Sequence, residues 1–144
     1  MYKGEPTEGV EFYKLLYENG EFCRELGKAI LAAGRLETEL TRYLHSNQVK
    51  ENTKKASLGQ LIAMAEKYEI PKNLASVLKE IKEQRNYFAH KIFALFAGTV
   101  EETILPRSEL LDSDVESYIN YVWTLQSNLN GLADIVAENN RKLE

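Results

Sequence analysis

Arg85-Asn86-Tyr87-Phe88-Ala89-His90 is the one stretch of this sequence whose residue types and spacing could do chemistry. Arg85 falls on the apolar stripe of a helical pattern, seven residues after Leu78 and seven before Ile92. A cation there is costly unless it is paired or its head reaches water. Arginine keeps its charge and can fork onto two phosphate oxygens. Histidine, with an ordinary pKa of about 6.5, suits proton transfer near neutral pH. Asn86 and His90 are four apart, so they share a helix face and can hydrogen-bond. Asn86 could instead bind a phosphate oxygen. Tyr87 could stack on a base or pack as an ordinary core or interface ring. The blander alternatives stay open: Arg85 snorkels from the stripe, and His90 is a surface histidine beside it.

The rest of the chain offers less. There is no GxxxxGK[ST] phosphate loop, no GxGxxG, no HExxH and no GxSxG. One cysteine, Cys23, excludes an intrachain disulfide, and its place beside a helical stripe reads as inert core rather than nucleophile. Two histidines, His45 and His90, do not make a His-rich metal centre. No metal and no cofactor is expected. Glu37 and Glu39 could pair with a cation, although both suit the polar face of a helix.

A chain of 144 residues and 16.5 kDa suggests one domain. Its apolar content of 44% and charged content of 28% are ordinary for a globular chain, neither disordered nor membrane-like, with room for at most a short tail. No apolar run approaches the roughly 20 residues that span a bilayer. The opening Met1-Tyr2-Lys3-Gly4-Glu5-Pro6 lacks an apolar signal region, so the cytoplasm is the expected compartment. The net charge of -4 argues against a wholly basic nucleic-acid binder. The charge is uneven, however: residues 50–91 carry nine Lys/Arg and five acids, leaving the remainder strongly acidic. A locally basic surface can still attract phosphates. Candidate binding residues are Tyr87, Lys82, Lys91 and Glu37.

The elements that would position the motif are helical. Phe22, Leu26, Ala29, Ala33, Leu36, Leu40 and Tyr43 alternate steps of four and three, which is one apolar stripe. Gly27 and Gly34 beside it suggest either close approach of another helix or tolerated surface glycines. Ser57-Leu58-Gly59-Gln60 has the form of a capping box, with a short helix expected to about Glu69 burying Leu61, Ile62 and Met64 or Ala65. Pro71 suits the first turn of the next helix, whose stripe is Leu74, Val77, Leu78, Ile81, Arg85, Phe88, Ile92 and Phe96. Gly98 can end it. Residues 97–111, with Pro106, read as an irregular connection, and the run Thr103-Ile104-Leu105 is too short for a strand. Ser113-Asp114-Val115-Glu116 is a second capping box. A long last helix then carries Val115, Tyr118, Val122, Leu125, Leu129, Leu132 and Val136. A first helix is expected around Val10–Leu16. The whole is an all-α antiparallel bundle of four to five helices in a single domain, 1–144. Residues 1–20 would form a short helix or arm, and 21–142 the bundle core.

Arg, a polar residue, three more residues and His resembles the R-x4-6-H motif of the HEPN superfamily (higher eukaryotes and prokaryotes nucleotide-binding). The form Arg-Asn-x-x-Ala-His is frequent there. Gly34-Arg35-Leu36-Glu37-Thr38-Glu39-Leu40 is similar to the earlier helix of that family, which often carries a glycine and a Leu-Glu pair. The resemblance covers roughly Glu21 to Asn130. It implies a homodimeric bundle with the motif helices near the two-fold axis. It implies further that Arg85, Asn86 and His90 form the site of a metal-independent endoribonuclease, as in many toxins with a cognate antitoxin chain and in defence effectors. RNA would then be the partner, cut through its 2′-OH to a 2′,3′-cyclic phosphate and a 5′-OH. The rival expectation is a non-catalytic binding or regulatory module, similar to the mannitol operon repressor family, or a scaffold that only pairs helices.

One geometric constraint accompanies the motif. In a regular α-helix, five residues separate Arg85 and His90 by about 140° and roughly 7.5 Å along the axis. Such a helix does not aim both side chains at one point. A composite site across a dyad would solve this, so dimerisation is expected as a condition of catalysis.

Overall fold

Alternating stripes become helices in the computed structural model, which describes residues 4–7, 9–49, 53–68, 70–98 and 110–142. Helix α1 spans Gly9–Glu18, α2 Gly20–Ser46, α3 Leu58–Lys67 and α4 Lys72–Asn86. A π-helical turn, Tyr87–Lys91, joins α4 to α5, Ile92–Phe96. The last helix, α6, spans Val115–Lys142. The chain is an all-α bundle, and among the described residues no helix is long and apolar enough to cross a membrane.

The N-terminal segment belongs to the bundle. Phe12 and Leu16 of α1 are fully buried in the same core as α2 and α6. Asn19 breaks α1 from α2 with extended backbone, and its Oδ1 accepts the Phe22 N–H at 2.7 Å. That bond satisfies one of the donors a new helix leaves open. The Ser57 box forms in full: Ser57 Oγ accepts from the Gln60 N–H at 3.2 Å, and Gln60 Oε1 from the Ser57 N–H at 2.9 Å. Helix α3 stops at Lys67, short of the expected end, and Glu69 lies outside the described residues.

Several expectations shift. Pro71 precedes α4 as its cap rather than entering the first turn. The stripe of α4 is rotated, so that Ala75 is buried and Val77 is 45% exposed. Gly98, at φ +79°, closes α5 in the left-handed backbone that only glycine adopts freely. The second capping box is replaced. A 3₁₀ turn, Asp112–Asp114, leads into α6, and Asp114 Oδ2 accepts the Leu111 N–H at 2.7 Å. A minimal antiparallel strand pair is also present: β1, Pro6–Thr7, against β2, Leu110–Leu111, with Pro6 opposite Leu111. Glu5 and Asp112 extend it with two bonds of 2.9 and 2.8 Å. Pro106 and the run at 103–105 lie outside the described residues. A side chain at Gly27 or Gly34 would meet nothing within 4 Å, so these glycines do not mark close helix approach.

The core is organised by α2 and α6, the most extensive pairing among the described residues. All seven α6 stripe residues named above are buried. Arg35 reaches Asn130 and Asp134, and Glu39 reaches Asn140. Later residues of α2 therefore meet later residues of α6, and the two longest helices run parallel. The antiparallel expectation fails for this pair because α4, the π turn and α5 carry the chain back to the end where α2 began. It holds for α3 against α4, where Glu66 pairs with Lys79 and Gly59 faces Lys82. It holds also for α1 against α5, where Tyr13 meets Phe93 and Gly9 faces Phe96.

An aromatic cluster anchors the end of the bundle beneath the motif. Tyr118 meets Phe12 at 5.1 Å, Phe96 at 5.9 Å and Phe88 at 6.4 Å between ring centroids. Burial pushes the Tyr118 hydroxyl well above the usual tyrosine range, with Tyr121 and Asp114 adding to the effect. Phe88 also meets Phe22 of α2, so the π turn is pinned from both long helices.

Candidate functional site

The π turn is what builds the site. Its backbone bonds skip five residues instead of four, which widens the turn by one residue. That widening swings His90 back over Arg85. The guanidinium Nη1 lies 3.2 Å from His90 Nε2, within one chain. The expected geometric need for a second chain to bring these two residues together therefore disappears. π turns inside α-helices occur often at functional sites.

Arginine can only donate, so this contact is a hydrogen bond when Nε2 carries its lone pair and the proton sits on Nδ1. In that tautomer Nε2 is a proton acceptor held against a fixed cation. His90 itself is exposed, whereas Arg85 is half-buried. The Arg85 Nε is buried with no hydrogen-bond partner. The other guanidinium contacts are Nη1 to Asn86 Oδ1 at 3.4 Å and Nη2 to Glu37 Oε1 at 3.9 Å. Asn86 thus holds Arg85, not His90 as its spacing suggested, because the widened turn rotates His90 away from the face of Asn86.

The other expected residues divide. Glu37, from α2, is brought to the site. Tyr87 is partly buried against the core, and Lys91 Nζ lies 5.6 Å from its ring centroid. Lys82 lays its stem along Gly59 at the start of α3, where an added Cβ would stand 3.0 Å from Lys82 Cδ. Glu39 is buried, bound to Arg42 at 2.9 Å and to Asn140, and belongs to the α2–α6 contact. His45 pairs with Thr53 across 3.1 Å. Cys23 is exposed rather than core, because it sits at the α1–α2 break with its thiol turned to the carbonyls of Tyr17 and Leu16 at 3.3 and 3.6 Å. No group of three metal-ligating side chains occurs among the described residues.

The sequence pattern missed a set of rings next to His90. Phe93, three residues on, is 52% exposed. It meets Tyr13 at 5.0 Å, and Tyr13 meets Tyr17 at 6.2 Å. The stripe through Ile92 and Phe96 leaves Phe93 off the core face, as observed, but a ring off the stripe does not by itself signal a cluster with Tyr13 and Tyr17 of another helix.

Comparison of the chain with protein-family models, with curated proteins and with solved structures gives no match.

Proposed function

We propose that the chain is a metal-independent endoribonuclease of HEPN type. Arg85 binds the scissile phosphate and His90 transfers the proton. The observation that supports this reading is the 3.2 Å contact between a permanent cation and an imidazole nitrogen. RNA carries its own nucleophile, so the protein has two tasks. It must accept the 2′-OH proton and stabilise the charge that builds on phosphorus.

In this reaction the 2′-oxygen bonds to phosphorus and gives its proton to His90 Nε2. The bond from phosphorus to the 5′-oxygen breaks, and that oxygen leaves with a proton. A 2′,3′-cyclic phosphate and a 5′-OH result. Attack and departure lie on opposite sides of phosphorus, so one imidazole serves one side. The His90 of a second copy would serve the other, which keeps the homodimer within the proposal. Asn86, Glu37 and His90 hold the Arg85 fork until the phosphate replaces them, which frees the Nε2 lone pair for the 2′-OH proton.

One observation favours the rival binding module: Arg85 already has Glu37, Asn86 and His90 as partners. A single experiment separates the two readings. In EDTA, the parent should cut single-stranded RNA, and His90→Ala should lose at least about 100-fold in rate. Equal cutting by both proteins removes His90 from the chemistry. Binding without cutting by both favours the module.

A further inference from the structure

Three rings stand beside the site with no part in the proton chemistry, and two of them, Phe93 and Tyr17, are exposed. Phe93 follows His90 by about one helical turn and is 52% exposed. Its ring meets that of Tyr13 edge-on, at 74°. Tyr13 is packed on the core and supports Tyr17, whose ring is inclined by 32° and 71% exposed. The ladder thus crosses from α5 to α1. Exposed rings gathered in one place mark a binding face.

The surrounding charge indicates what such a face takes. Lys91 adjoins His90, and Lys14 precedes Tyr17 by one helical turn, both exposed. The exposed acids of this stretch, Glu11, Glu18 and Glu21, lie on α1 and at the start of α2, whereas Lys91 stands at the His90 end. Ring faces beside a phosphate-binding cation repeat the alternation of base and phosphate along a strand.

We infer that Phe93 and Tyr17, supported by Tyr13, form a stacking platform for the unpaired bases of single-stranded RNA next to Arg85 and His90. The inference rests on the cleavage reading for the placement of the phosphate, and adds the residues that hold the bases of the strand. Bases in a duplex hide their faces in one another, whereas a single strand presents them. Every base has such a face, so the platform selects single strands without reading sequence.

The test uses a fluorescent 2′-O-methyl oligonucleotide of about 12 residues, which lacks the nucleophile and binds uncut. Phe93→Ala and Tyr17→Ala should each weaken binding by about 10-fold. Phe93→Trp should bind like the parent. Phe93→Leu, which keeps apolar bulk but loses the ring face, should weaken binding as Ala does. A duplex of the same length should bind less well than the single strand. Parent-like binding by Phe93→Leu or Phe93→Ala overturns the platform. So does a dimer that dissociates in Phe93→Ala while RNA binding is unchanged, which would assign the face to a second copy. The cleavage reading is scored separately, on an all-ribose strand. A parent that binds through the rings but leaves that strand whole overturns cleavage and leaves the platform standing. A parent that cuts, with KM unchanged in Phe93→Ala, overturns the platform alone.

Discussion

Glu37 Oε1 stands 3.9 Å from Arg85 Nη2, tying the middle of α2 to the last turn of α4. Among the described residues this carboxylate is the one acidic group in contact with the cation proposed to bind phosphate, and it would compete with an incoming anion. The pair is partly exposed, at 22% and 32% of the two side chains, so its worth to stability is at most about 1 kcal/mol. Glu37→Gln should therefore move the melting temperature by no more than about 4 °C. It should also tighten oligonucleotide binding several-fold. Weaker binding in this variant would show that Glu37 positions Arg85 rather than competing for it.

Arg85→Lys keeps the charge and loses the planar fork. The fork touches Asn86, His90 and Glu37 from two terminal nitrogens, which an ammonium on a shorter reach does not reproduce. Turnover of Arg85→Lys should fall nearly as far as that of Arg85→Ala, with both proteins folded by circular dichroism. Parent-like turnover in the Lys variant would mean that charge alone is used.

The π turn carries one residue more than an α-helix would need. Deleting Ala89 should restore regular bonding and leave Arg85 and the histidine four apart, still on one face. It should also keep Phe88 and Leu95 in register with the core, since the turn absorbs the extra residue. The expected melting temperature is at or above that of the parent. A marked fall would show that the wide turn itself is required for packing.

Tyr118 gives a pH signature. Its hydroxyl titrates higher in the folded chain than in the unfolded one, chiefly through burial. The folded state thus favours the neutral ring. The associated stability is fully present below the unfolded value of about 10, and is lost as pH rises above it. Melting temperature should drop between about pH 9 and pH 11 more steeply in the parent than in Tyr118→Phe. Parallel curves would place the ionising group elsewhere.

The stripes of α2 and α6 were legible because their alternation of three and four admits one helical face. The Ser57 box was legible because its two partners are fixed by backbone spacing alone. The site was legible as a set of residue types, Arg85, Asn86, His90 and Glu37, but not as a geometry. A sequence spacing of five reads the same whether the helix is regular or widened, and here the widening brings Arg85 and His90 together. The error at Val77 arose because Ala75 is too small to register as a stripe residue. Cys23 reads as core from its neighbours, and only the break at Asn19 turns it outward. The stripe left Phe93 outside the core, but its meeting with Tyr13 depends on how α1 packs on α5, which no local spacing records.

The parallel pairing of α2 and α6 has a consequence for how the chain comes to be folded. Arg35 and Asp134, joined in the finished molecule, are 99 residues apart in sequence. Closing so long a loop is entropically costly and slow compared with local helix pairing. During synthesis the apolar stripe of α2 leaves the ribosome long before the helix that covers it. Until α6 emerges, Leu36 and Leu40 have only transient local cover. A chain truncated before α6 should therefore expose the α2 stripe and aggregate rather than fold as a smaller bundle.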